Sequence, residues 1–189
     1  MNYGEDIKNC LEVLKEGGII LYPTDTIWGI GCDATNEAAV KKIYELKHRA
    51  ESKSMIILLA DEKEIGHYAK PPSPEILMML HEASGPLTVV FPDAVNLAPN
   101  LISPDNTIAM RVPHDDFCIL LLCAFKKPIV STSANISGGA APRNFNDIAT
   151  EIKNGVDFIV QHRQDDESLS SPSRIVQWTK DEKLIVIRE

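Results

Sequence analysis

Apolar positions along this chain recur with two different periods, and the switches between them mark out the elements. Ile7, Leu11 and Leu14 fall at helical spacing within residues 5–16, and Gly17-Gly18 follows as a helix stop. The unbroken apolar run Ile19-Ile20-Leu21-Tyr22, entered from Gly18, reads as a buried strand. Asn36 caps a second predicted helix through Ala39, Val40, Ile43 and Leu46. Residues 55–59 predict another strand, a charge-rich helix starts at Asp61, and beyond the breakers Pro71, Pro72 and Pro74 a further helix centres on residues 76–80. The second half is richer in strands, at 87–91, 107–112, 129–132, 158–160, 174–178 and 184–187, with helices over 116–125 and 147–153. Strands alternate with helices early and cluster later. The expected fold class is therefore α/β, an open twisted mixed sheet with flanking helices, and not a strictly alternating doubly wound sheet.

Three polar or glycine-rich stretches break this pattern where apolar runs end. They are Pro23-Thr24-Asp25-Thr26-Ile27-Trp28-Gly29-Ile30-Gly31, Lys47-His48-Arg49 and Ser131-Thr132-Ser133-Ala134-Asn135-Ile136-Ser137-Gly138. Ends of strands and helices are where open α/β sheets build ligand sites. Lys47 and Arg49 would diverge on a continuous helix, but at i and i+2 of an extended segment they point the same way. If the helix ends near Leu46, a planar guanidinium fork and an ammonium can face one anion; the alternative is a helix end whose carbonyls attract cations. Residues 131–138 offer four hydroxyls, an amide and a glycine, either to an anion or to their own turn. Asp25 caps a turn or sits between two functional hydroxyls. Thr107, Ala109 and Arg111 share one face of a strand, where Arg111 must find either a ligand or a structural salt bridge.

Composition narrows the classes without choosing among them. The chain has 189 residues, 44% hydrophobic and 24% charged, which suits one domain spanning 1–189. A net charge of −8 argues against a surface coated for nonspecific nucleic-acid binding, though not against a local basic cleft. The polar, acidic start has no signal-peptide pattern and no apolar stretch is long enough to span a membrane, so a cytoplasmic protein with no membrane partner is expected. Cys10, Cys32, Cys118 and Cys123 form no Cys-x-x-Cys pair and read as small hydrophobes; the histidines lack metal-ligand spacing, so no protein-held metal is expected. There is no P-loop and no nucleophile–base–orienter triad. Hydroxyls and cations without a base suit phosphoryl or nucleotidyl chemistry, in which positioning and charge stabilisation dominate.

Taken together these motifs resemble the YrdC-type threonylcarbamoyl-AMP synthases (TsaC-like) over nearly the whole chain. Residues 23–31 match the Pro-Thr-x-Thr/Ala-x-x-Gly-x-Gly segment, and Lys47, Arg49, Ser133 and Asn135 match the Lys-x-Arg…Ser-x-Asn tetrad. Gly85-Pro86-Leu87-Thr88, Arg111-Val112-Pro113 and Pro172-Ser173-Arg174-Ile175-Val176 follow in order. The resemblance implies a sheet curved around a concave basic cleft. It implies a nucleotidyltransferase making threonylcarbamoyl-AMP and pyrophosphate from L-threonine, bicarbonate and ATP, with Mg²⁺, for tRNA threonylcarbamoyladenosine. By the same resemblance Lys47, Arg49, Ser133 and Asn135 are catalytic; Arg49, Lys53, Thr107, Ser133 and Arg188 bind ATP; Thr26, Arg111, Ser131 and Ser173 bind threonine. Ala50, Ala83-Ser84, Ala141 and the Arg188-Glu189 ending depart from the family pattern. A threonylcarbamoyl transferase complex would receive the product. The rival readings are a YciO-like relative without synthase activity, and a double-stranded RNA, tRNA or ribosome-binding module using the same cleft.

Overall fold

The computed structural model describes residues 3–51, 55–168, 172–179, 181 and 183–189. Its centre is a mixed sheet built from β1 (Ile20–Tyr22), β2 (Gly29–Gly31), β3 (Ile56–Leu58), β4 (Leu87–Pro92), β5 (Thr107–Arg111), β6 (Ile129–Ser133), β7 (Phe158–Ile159), β8 (Arg174–Trp178) and β9 (Leu184–Arg188). The spatial order is β7-β1-β2-β6-β3-β5-β4-β8-β9. Pairings β1–β7, β3–β5 and β4–β8 are parallel and the others antiparallel, the mixed, open arrangement that the sequence pattern predicts.

The inner strands are apolar without alternation because both sheet faces are covered. Ile20, Tyr22 and Leu58 turn towards α1 (Gly4–Lys15) and α4 (Asp116–Phe125), joining Cys10, Leu14, Phe117 and Leu121 in one cluster. Leu21, Ile30 and Ile57 belong to the larger opposite cluster with Ala39, Val40 and Ile43 of α2 (Glu37–Leu46) and Ile76 of α3 (Pro74–His81). Asn36 caps α2 as expected, its side chain accepting from the Ala39 amide at 3.1 Å. Asp115 caps α4 on Cys118 at 2.9 Å.

Two local expectations need correction, and one strand was not anticipated. The segment after Asp61 is a 3₁₀ helix over Glu62–His67, tighter than an α-helix and including Gly66. The helix predicted at 147–153 is α5, Thr150–Asn154. Asp147 is held in the preceding turn, its carboxylate accepting from the Arg143 amide and its own amide donating to Asn144 Oδ1. Gly29-Ile30-Gly31 is a strand despite its poor strand propensity, inserted between β1 and β6. Glycine is required there: a Cβ at Gly31 would lie 2.6 Å from the Val130 carbonyl oxygen and 2.7 Å from the Tyr22 ring.

Candidate functional site

Cross-strand register assembles the site. Ser131, Ile56, Ala109 and Val90 lie side by side across β6, β3, β5 and β4, and all four line a cavity of about 470 Å³. One row further on, Gly29 pairs with Ser133, and both line it as well. The strand β5 presents Thr107, Ala109 and Arg111 to the same space, the shared face expected from their spacing. Trp28, Pro172, Ser173 and Ile175 extend the wall. The described lining holds three arginines (Arg49, Arg111, Arg188) and no carboxylate.

Arg188 reaches the cavity because β9 is irregular. Leu184 and Val186 pair with Trp178 and Val176, whose side chains are buried in the core. Continued regularly, residue 188 would fall on that same face. A bulge shifts the register so that Arg188 pairs with Ile175, a lining residue. Its Nε and Nη2 donate to the Ser173 carbonyl at 3.1 and 2.6 Å.

At the other end, Arg111 is only 4% exposed and forms a buried ion pair with Asp25, whose second oxygen accepts from the His114 amide at 3.1 Å. The two readings open at the sequence level are therefore both present: Arg111 is salt-bridged and also faces the cavity. Its Nε–H is buried without a partner among the described residues. Thr24 and Thr26 form a fixed turn. Thr24 Oγ1 donates to the Ile27 carbonyl at 2.8 Å, accepts from the Thr26 amide at 3.0 Å and lies 2.9 Å from Thr26 Oγ1. Tyr22 closes the floor beneath Ser131, its hydroxyl donating to the Val130 carbonyl, and burial pushes its pKa well above the usual range.

The Lys-x-Arg pair behaves differently from the expectation of two cations facing one ligand. The helix α2 does end at Leu46, but the chain then turns through His48 at φ +48°. Arg49 lines the cavity, whereas Lys47 is 1% exposed and its Nζ donates to the carbonyls of Ser133 and Asn135. Its own carbonyl accepts from the Ser137 amide at 2.8 Å. Lys47 thus straps the 133–137 loop from both ends. Burial, helped by the neighbouring Arg49, lowers its pKa to about 8. Asn135 is also turned to the loop: it accepts from Ser133 Oγ and donates to the carbonyls of Ile136 and Gly139 at 3.0 and 2.7 Å. So Arg49, Ser133, Thr107, Arg188, Thr26, Arg111, Ser131 and Ser173 converge on one cavity, while Lys47 and Asn135 shape its rim from behind. Lys53 lies outside the described residues.

Sequence reasoning missed the buried hydroxyl behind Ser173. Thr88, 0% exposed in β4, lies 2.8 Å from Ser173 Oγ. A threonine inside the apolar run Leu87–Phe91 was the available signal, since a buried hydroxyl requires a partner.

Among the described residues there is no group of three or more His, Cys, Asp or Glu placed to hold a metal, and no helix long and apolar enough to cross a membrane. The described lining, with no carboxylate, His or Cys, does not fit a resident metal.

Comparison with known proteins places this geometry in a family. The Sua5/YciO/YrdC family model, described as telomere recombination, matches residues 12–189. The threonylcarbamoyl-AMP synthase of Hahella chejuensis is 35% identical over 173 residues, covering 89% of this chain and 91% of that protein. The structure of P. abyssi Sua5 complexed with L-threonine superposes with a TM-score of 0.86 at 25% identity, covering all of this chain; the chain spans 54% of that protein. E. coli YciO shares the fold, with a TM-score of 0.82 at 23% identity over 98% of this chain and 89% of its own. The chain belongs to the Sua5/YciO/YrdC family.

Proposed function

We propose that this protein is a threonylcarbamoyl-AMP synthase, a nucleotidyltransferase that joins L-threonine, bicarbonate and ATP into threonylcarbamoyl-AMP with release of pyrophosphate, for tRNA threonylcarbamoyladenosine. One observation carries the reading: a cavity of substrate size, whose described lining has three arginines and a set of hydroxyls with no carboxylate, in a chain 35% identical to a protein of that name. Such a lining suits a reaction that must gather a carboxylate, a carbamate and a triphosphate in one place.

The threonine amine takes up the carbon of bicarbonate, losing water, to give a carbamate. A carbamate oxygen then attacks the α-phosphorus, the bond from that phosphorus to the bridging oxygen breaks, and pyrophosphate leaves with the electron pair. No side chain needs to form a covalent bond. Arg111, with Thr26, Ser131 and Ser173, holds the amino acid; Arg49, Arg188, Thr107 and Ser133 hold the nucleotide and offset charge developing on the phosphoryl oxygens. The walls formed by Trp28, Ile56, Val90, Ile175 and Ile187 keep water from a labile carbamate. Mg²⁺ accompanies ATP as its counter-ion. Residues 1–189 act as one domain in the cytoplasm, passing the unstable product to a threonylcarbamoyl transferase.

Incubation with ATP, L-threonine, bicarbonate and Mg²⁺ should release pyrophosphate only when threonine and bicarbonate are both present. Arg49→Ala should abolish the release. ATP binding without threonine-dependent release would overturn the reading in favour of a non-synthetic relative; salt-dependent RNA binding that survives Arg49→Ala would favour an RNA-binding module.

A further inference from the structure

The cavity hydroxyls carry a fixed polarity, and two buried threonines set it. A hydroxyl has one proton. Thr24 uses its own on the Ile27 carbonyl, which can only accept. The 2.9 Å contact between Thr24 Oγ1 and Thr26 Oγ1 must then run from Thr26 to Thr24. Thr26 Oγ1 is left with lone pairs alone to turn towards the cavity it lines.

Thr88 leads to the opposite result at Ser173. Its hydroxyl is fully buried, and Ser173 Oγ at 2.8 Å is its partner. If Ser173 were the donor, the Thr88 proton would be enclosed with no acceptor among the described residues, the costly arrangement for a buried polar group. With Thr88 as donor both groups are satisfied, and the Ser173 proton is free to point into the cavity. The backbone holds this arrangement on both sides. Parallel pairing of β4 with β8 sets Leu87 against Arg174 and Thr88 against Ile175, and the guanidinium of Arg188 grips the Ser173 carbonyl.

We propose that Thr24 and Thr88 are positioning residues that make Thr26 an acceptor and Ser173 a donor towards the amino-acid substrate. Resting on the synthase reading, this assigns complementary groups on the ligand. A nitrogen-bound hydrogen of the amino acid faces Thr26, and one of its oxygens faces Ser173. A ligand offering only acceptors, such as sulfate or the internal phosphates of a polyphosphate chain, cannot satisfy both. The cavity therefore distinguishes an amino acid from a second phosphate group by hydroxyl polarity as well as by charge.

The test is calorimetric binding of L-threonine to the full chain, with binding of a non-hydrolysable ATP analogue measured on the same samples. Thr24→Val and Thr88→Val keep side-chain shape and remove the relay hydroxyl. Each should weaken threonine about tenfold, the worth of one well-placed hydrogen bond, and leave the nucleotide analogue unchanged. Thr24→Ser and Thr88→Ser restore the hydroxyl and should restore wild-type affinity, which a purely structural role would not require. The proposal is overturned if the valine variants bind threonine as wild type does, or if they weaken threonine and nucleotide equally. Threonine binding that is normal in wild type and in both valine variants would sink the relay while leaving the synthase reading intact. Wild-type protein that neither binds threonine nor releases pyrophosphate would sink both.

Discussion

A lysine ammonium taken out of water is normally matched by a carboxylate or gives up its proton. Lys47 instead has two backbone carbonyls, those of Ser133 and Asn135, and among the described residues no carboxylate pairs with it. It therefore holds the loop that presents Ser133. Lys47→Met should leave both carbonyls without their donor, loosen the 133–137 turn and lower kcat/KM about a hundredfold, the scale expected when a site shifts by about 1 Å. Faster amide exchange at Ser137 would separate this from loss of a direct contact. The pKa adds a sign. Folded Lys47 titrates near 8 and the unfolded chain near 10.5, so between those values the unfolded state binds more protons. The contribution of Lys47 to stability is accordingly lost as pH falls through 8 and rises towards pH 10.5. The stability of wild type relative to Lys47→Met should therefore increase from pH 7.5 to pH 10, by about 2 kcal/mol. Urea melts of both proteins at the two pH values check it; a flat difference would mean that the ammonium stays charged on its carbonyls throughout.

At the scale of elements, α2 delivers the Lys-x-Arg segment, and its start is fixed by one side chain. Asn36→Ala removes the cap on Ala39 and should cost about 1 kcal/mol in chemical denaturation while leaving pyrophosphate release intact, because the cap lies at the far end of α2 from Arg49. Elements such as α2, α4 and β5 were legible in the sequence because their apolar and β-branched patterns matched the structures they adopt, with the Asn36 cap adding a start signal for α2. Asp116–Phe125 matches its predicted limits, and the one-face placement of Thr107, Ala109 and Arg111 followed from strand geometry alone. The strand β2 was not legible. Gly29-Ile30-Gly31 is a strand only because Tyr22 and Val130 close in on both sides, and such packing leaves no mark on local propensity. The same holds for the Lys47 strap, which depends on residues 86 and 88 positions away. Spacing could show that Lys47 and Arg49 leave the helix together. It could not show that His48 at positive φ would send one to the loop and the other to the cavity.

For the whole molecule, the long open sheet that spreads the cavity across many strands also leaves a vulnerable edge. The last strand, β9, contributes Ile187 and Arg188 to the cavity wall, so it cannot simply be shortened or buried. Leu184, Ile185, Val186 and Ile187 are each 46–55% exposed, four consecutive large aliphatics on a strand whose outer backbone edge is unpaired among the described residues. The bulge that aims Arg188 also twists the far end of this edge, one of the ordinary protections against strand addition, but Leu184–Val186 precede it and stay regular. A single edge charge should therefore act strongly. Ile185 pairs with Gln177 and is half exposed, so lysine can be accommodated there with its ammonium in water. Ile185→Lys should reduce light scattering on concentration or mild heating, change folding stability by no more than about 0.5 kcal/mol and leave pyrophosphate release near wild type. Ile65→Lys, placing the same charge at a core position, would instead unfold the protein and so serves as the contrast. Unchanged scattering in Ile185→Lys would mean that the bulge alone already protects this edge, and that the same distortion which turns Arg188 into the cavity also keeps the sheet from growing.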